Sequence, residues 1–304
     1  FKKKGYETKK ILLQRPECLL TAELDRNAAM VADLEDPLAG TALFDGQNLW
    51  VGTSNGDLLQ LDRQTLKPLW RFVLPGGGGL GKEVQGPILP YQTQDSRNLL
   101  VFATKDGHLA AAQAGRKEPV WLVAMGKENF PRADPALLRL SFAGDRKFLT
   151  VAAGPAVASF DVATGVPLKW GDTRFVPPKP FTTTPVTMDQ DSLIVLGSAD
   201  GNLYALKASD GTLARRWTTG GPAIRGAPQF TGQHLAASSD DGNLYFFEPA
   251  GGHFVFKLKI GGPMSGAPAV HKDLLLFGTA LQDGFFGVDL ARQTVRFAYT
   301  AEHI

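Results

Sequence analysis

A chain of 304 residues with 43% apolar side chains can bury a sizeable core, and its 34 Gly and 20 Pro mark many turns without reaching the composition of disordered sequence. Lys plus Arg (32) nearly balance Asp plus Glu (30), so no global field draws nucleic acid or an anionic membrane, and the apolar runs are far shorter than the roughly 18 residues of a spanning helix. A single cysteine, Cys18, excludes an intrachain disulfide and a cysteine-based metal cluster.

Residues 1–10 hold five lysines and read as a flexible basic lead-in; residues 11–304 read as one domain. Three apolar runs follow, ILLQ from Ile11, CLLTAEL from Cys18 and AAMVADL from Ala28. They read as strands of a degenerate unit, and the Leu24–Arg26 LDR echoes the LDR at Leu61–Arg63.

From about residue 40 the chain repeats itself. Stretches such as LWVGTSNGDLLQLDRQTLKPLW from Leu49, LIVLGSADGNLYALKASDGTLARRW from Leu193 and HLAASSDDGNLYFFEPAGGHFVF from His234 share one order. An apolar strand runs into a turn with Gly, an alternating strand follows, then a polar turn and an aromatic. Gly56 to Trp70, Gly107 to Trp121, Ala156 to Trp170 and Gly242 to Phe256 are each 14 apart, and Gly284 to Phe297 is 13. Gly201 to Trp217 is 16, which reads as a two-residue insertion at Arg215 and Arg216. A proline leads the units at Pro87, Pro135, Pro185, Pro228 and Pro268, and is expected at the first residue of an innermost strand. The Asn-Gly and Asp-Gly pairs ending at Gly56, Gly107, Gly201 and Gly242 are hairpin signals. Residues 75–86, 89–98 and 140–147 read as long loops. Four short antiparallel strands per unit, repeated six times, specify an all-β propeller of four-stranded blades. With the degenerate unit the expected number of blades is seven; six and eight are the alternatives.

The motif GSADGNLYALKASDGTLARRW, followed by Gly-Gly and the Gly226–Pro228 GAP, resembles the pyrroloquinoline-quinone-type propeller repeat. It lacks the Trp-Asp of WD-type repeats and the paired glycines of kelch repeats. The resemblance covers about residues 40–300 and implies one of two activities. Quinoprotein dehydrogenases of this family hold the quinone and calcium in the channel of an eight-bladed ring, beside adjacent cysteines. Non-catalytic members act as scaffolds, among them an outer-membrane protein assembly lipoprotein. The length, the single cysteine and the absence of a recognisable calcium-binding carboxylate cluster set this chain apart from the enzymes. The resemblance therefore implies a non-enzymatic scaffold for protein partners in a bacterial cell-envelope complex, in the periplasm or at the outer membrane, without cofactor or metal. A removed N-terminal anchor is a further expectation. The alternative is an oxidoreductase-type propeller binding a quinone or other small ligand in its channel.

Other motifs carry less. Gly76–Lys82 satisfies GxxxxGK, but Glu83 stands where Mg²⁺ binding needs Ser or Thr, and a strand follows where a helix is required; it reads as a connector. His108, His234, His253, His271 and His303 show no metal-ligand spacing, and no GxSxG elbow is present. Cys18 reads as a buried strand cysteine. The aromatics are committed to packing, so no nucleic-acid surface is expected. One constellation has geometric logic: the residue three before each proline, where the innermost strand enters the central channel. Its occupants are Val84, Arg132, Thr182, Arg225 and Ser265. Arg132 and Arg225, with Thr182 and Ser265 between them on one rim, suit an acidic loop or carboxylate of a protein partner, since guanidinium forks match planar anions.

Overall fold

A computed structural model describes residues 34, 36–75, 82–125, 130, 134, 138–143, 148–168, 175–188, 193–262, 264–279 and 284–300. The period-2 alternation becomes strands throughout, and the described residues include no helix. Blade 1 is β1 (Leu38–Phe44), β2 (Asn48–Thr53), β3 (Leu58–Asp62) and β4 (Pro68–Phe72). Blade 2 is β5 (Val84–Gln92), β6 (Asn98–Thr104), β7 (His108–Ala112) and β8 (Trp121–Ala124). Blade 3 shows β9 (Leu138–Ala143), β10 (Phe148–Ala153) and β11 (Ala156–Asp161), with Pro167 bridging to Phe160 beyond them. Blade 4 is β12 (Val186–Met188), β13 (Leu193–Gly197), β14 (Asn202–Lys207) and β15 (Leu213–Thr218). Blade 5 is β16 (Ile224–Phe230), β17 (Leu235–Ser239), β18 (Asn243–Phe247) and β19 (Phe254–Lys259). Blade 6 is β20 (Met264–His271), β21 (Leu274–Thr279), β22 (Gly284–Asp289) and β23 (Thr294–Thr300). Every blade is an antiparallel meander in sequence order.

First strands lie beside first strands, so the blades radiate from a common inner edge. β1 makes a parallel bridge to β5, Thr41 to Pro87, and β16 packs along β20. β9 likewise neighbours both β5 and β12. Between consecutive blades lies an apolar layer. Trp50, Phe72 and Phe102 join blades 1 and 2; Trp121, Leu149 and Phe160 join blades 2 and 3; Ala152, Ile194 and Tyr204 join blades 3 and 4. Val195, Trp217 and Phe247 join blades 4 and 5, and Phe246, Phe277 and Phe286 join blades 5 and 6. Val51, Leu59 and Leu61 are buried on the remaining face of blade 1, where Leu34 packs on them.

Indole N–H groups fasten neighbouring blades. Trp121 donates to the Val162 carbonyl of the next blade at 2.8 Å, and Trp217 donates to the Glu248 carbonyl at 3.0 Å. A ring nitrogen buried among side chains needs such an acceptor, which is why these positions favour Trp over Phe.

Four sequence expectations change. Pro87, Pro228 and Pro268 sit inside β5, β16 and β20 rather than at their first residue. The register slips across each, between Gln85 and Leu89, Arg225 and Gln229, and Ser265 and Ala269. The slip is a β-bulge: Gly86 at φ +72° and Gly226 at φ +71° turn the strand, and the unpaired stretch tolerates a residue without an N–H. Second, Trp217 is no inserted copy of Trp121. Trp121 pairs with Ala111, the fourth residue of its strand, whereas Trp217 pairs with Leu203, the second of its own. Arg215 holds the equivalent register, and Trp217 lies two residues along on the same face. Third, Gly284 is a strand residue, not a turn residue, whereas Ala156 opens β11 directly after the turn expected at Gly154 and Pro155. The blade 3 turn uses Gly154 at φ +65°. Fourth, the 89–98 loop shortens to residues 93–97, because β5 continues to Gln92. Residues 1–33, Gly76–Gly81, Arg132, Pro135, Trp170 and His303 lie outside the described residues.

Candidate functional site

The site grows out of strand register. Each first strand opens with an apolar residue followed by a second residue of opposite orientation. Val84 opposes Thr104, Ile224 opposes Ser239, and Phe181 bridges to Ser198. The next position is therefore the same in every blade. It holds Ala39, Gln85, Arg139, Arg225 and Ser265 by pairing, and Thr182 by its N–H donating to the Gly197 carbonyl at 2.8 Å. Thr182, Arg225 and Ser265 thus share one level of the inner rim. Val84 is one position off that level and is buried against blade 1. In blade 3 the position belongs to Arg139. The signal for it was in the sequence: Leu138-Arg139, Ile224-Arg225 and Phe181-Thr182 are the same apolar–polar pair. Counting from proline missed it because the distance from proline to strand is not constant.

Arg139 and Arg225 are joined through blade 4. Arg139 donates from Nε to the Thr182 carbonyl at 3.2 Å, and the Thr182 hydroxyl donates to the Ile224 carbonyl at 2.7 Å. Arg225 donates from Nε to both oxygens of Asp240, at 3.1 and 3.0 Å, and its carbonyl accepts from the Ser238 hydroxyl. Burial, and then the positive charge of Arg225, hold the Arg139 guanidinium below the ordinary arginine value. No carboxylate among the described residues pairs with Arg139.

Two other places hold polar chemistry. A cleft of about 270 Å³ opens between blades 1 and 2, lined by Asn55, Pro75, Lys82, Asp106 and His108. There His108 Nδ1 lies 3.0 Å from Asp106; burial acts to raise the Asp106 carboxyl, but the Thr104 hydroxyl and His108 outweigh it and hold it low. The residues that line it belong to turns and outer strands rather than to the first strands of the inner rim. In blades 4 and 5 a repeated turn carries a partly buried Asp–Tyr contact: Tyr204 donates to Asp200 at 2.7 Å and Tyr245 to Asp241 at 2.5 Å. Burial first, and then these carboxylates, push both phenols up to about 12. They are turn locks. His234 meets Phe246 and Phe256 edge-on, a packing role. Among the described residues no three His, Cys, Asp or Glu side chains gather as a metal site, and no helix is long and apolar enough to cross a membrane.

No protein-family model matches the sequence, and no curated protein matches it. Solved structures do. BamB from Moraxella catarrhalis superposes with a TM-score of 0.61 over 88% of this chain and 77% of its own, at 16% identity. The fold is a β-propeller. The computationally designed Ika8 protein superposes with a TM-score of 0.53 over 88% of this chain and 87% of its own, at 14% identity. At these identities the likeness concerns the fold, and a propeller hosts unrelated tasks.

Proposed function

We propose that this propeller is a non-enzymatic scaffold that holds protein partners in a bacterial cell-envelope complex, with outer-membrane protein assembly as the leading setting. The observation that carries the reading is the likeness to BamB across 88% of the chain, taken with the repeat resemblance of its sequence. In this reading the rim residues Arg225, Thr182 and Ser265 meet a partner in the periplasm, with no nucleic acid and no cofactor involved; Arg132, expected with them, lies outside the described residues.

The reading includes a seventh blade drawn from the apolar runs between Ile11 and Leu34, within a single domain of residues 11–304. It is supported by Leu34 on the outward face of blade 1 and by Phe285 and Tyr299, 46% and 43% exposed, on the outward face of blade 6. In-cell crosslinking of the 304-residue chain, followed by mass spectrometry, tests the scaffold. Envelope assembly proteins recovered at defined crosslinks are expected; recovery of no protein partner overturns it.

A further inference from the structure

The inner rim holds a cationic group whose burial nothing among the described residues compensates. Arg139 is partly buried, and its one hydrogen bond is to a backbone carbonyl, that of Thr182. A guanidinium carries five donors and is rarely buried without a charged partner. Two blades away at the same register stands Arg225, with Thr182 spanning the interval by its carbonyl on one side and its hydroxyl on the other. Arg225 lies half exposed at the opening and already holds a carboxylate, Asp240, through its Nε.

We propose that Arg139 and Arg225 form a carboxylate-binding site over Thr182, filled by an acidic side chain of a partner's peptide segment. The charges decide the ligand class. Two guanidiniums and the Asp240 carboxylate leave one positive charge among the described residues, which suits one carboxylate better than a phosphate dianion. Position decides the occupant: a rim of rigid strands, open on the side of Arg225, admits a loop or extended segment. Partly burying Arg139 with a backbone carbonyl but no charged partner costs stability, and a bound carboxylate recovers it, so the site is built for an occupied state. The proposal rests on the scaffold reading, and its test separates the two.

The probe is a capped, fluorescein-labelled hexaglutamate peptide titrated with the 304-residue chain, read by anisotropy. Arg139→Gln and Arg225→Gln are each expected to weaken binding at least tenfold. Arg116→Gln, at an exposed turn of blade 2, leaves it unchanged, and the hexaglutamine analogue does not bind. Arg225→Gln alters a half-exposed group, so it keeps the test open if Arg139→Gln fails to fold. The melting temperature of Arg139→Gln is expected to equal or exceed that of the parent in the absence of peptide. Equal losses in all three variants, or equal binding of the hexaglutamine peptide, overturn the site. Competition by inorganic phosphate at lower concentration than acetate overturns the carboxylate assignment. Undiminished partner crosslinking in Arg139→Gln removes the site and leaves the scaffold; peptide binding without any partner does the reverse.

Discussion

Asp57 is almost sealed from solvent, and Arg71 faces it with Nε at 2.9 Å and a terminal nitrogen at 2.6 Å. The same terminal nitrogen reaches Asp36 at 2.6 Å, and Asn55 donates to Asp36 at 2.5 Å, which fastens the chain entering β1 to the first hairpin. The Asp57 hydrogen bond, more than any other contact, raises the Arg71 guanidinium above its usual value. Arg71→Met leaves a buried carboxylate without its partner, and chemical denaturation is expected to show a loss of about 2 kcal/mol, below the full cost of a sealed pair because Arg71 is partly exposed. Of this network the sequence displayed only the turn. Asn55-Gly56 was readable as a hairpin signal, whereas Asp36 lies 35 residues before Arg71, and no local pattern links them. The tyrosine locks are the opposite case, because Asp200 and Tyr204 sit four apart in a motif repeated at Asp241 and Tyr245.

At the scale of the element, the first strand is the part that sequence reading described least well. Its Gly-x-Pro marker was visible, but a bulge exists only against a partner strand, and the partner lies several residues on. Gly40 shows why the bulge wants glycine. It sits at φ +75°, and a Cβ there would stand 2.9 Å from the Gly86 carbonyl oxygen of the neighbouring blade. Backbone of this kind cannot step aside as a side chain does. Gly40→Ala is therefore expected to cost about 2–3 kcal/mol, combining left-handed strain of about 1–2 kcal/mol with the contact. A urea titration monitored by tryptophan fluorescence measures it; a loss under 0.5 kcal/mol refutes the account. The hairpin turns were far more legible, since Gly56, Gly107, Gly201 and Gly242 take positive φ from 75° to 92° as Asn-Gly and Asp-Gly pairs require.

The whole molecule titrates as a set of turns. The Thr65 hydroxyl, then backbone N–H groups, hold Asp62 below the usual carboxylate range, and the Thr212 hydroxyl does the same for Asp210. At Asp241 burial works against the shift, but Tyr245 and Asn243 prevail. A carboxyl lowered on folding contributes stability that is present above its unfolded value and lost as pH falls through the folded one. The two phenols pushed up to about 12 act in reverse: their share is full below about 10 and lost as pH rises toward 12. Thermal melts across pH should show a plateau from about 5 to 9, falling below about 4 and above about 10. Tyr245→Phe should move the alkaline limb. Ring closure gives a further outcome: deleting residues 1–34 is expected to lower the melting temperature and raise dye binding, because Val51, Leu59 and Leu61 lose Leu34, which packs on them. An unchanged melt removes the seventh blade.

The sequence alone determined the unit of this protein and its repetition, because strand alternation, turn glycines and the aromatic layer are local chemistry written once per blade. The tertiary structure decided which residues of different blades meet. Arg139, Thr182 and Arg225 are separated by about 40 residues at each step, and only the pairing of first strands with second strands brings them to one level of the rim. Counting from proline cannot reach that level: bulges and hairpins of unequal length intervene, and register is set by hydrogen bonds between strands, which a linear pattern does not carry.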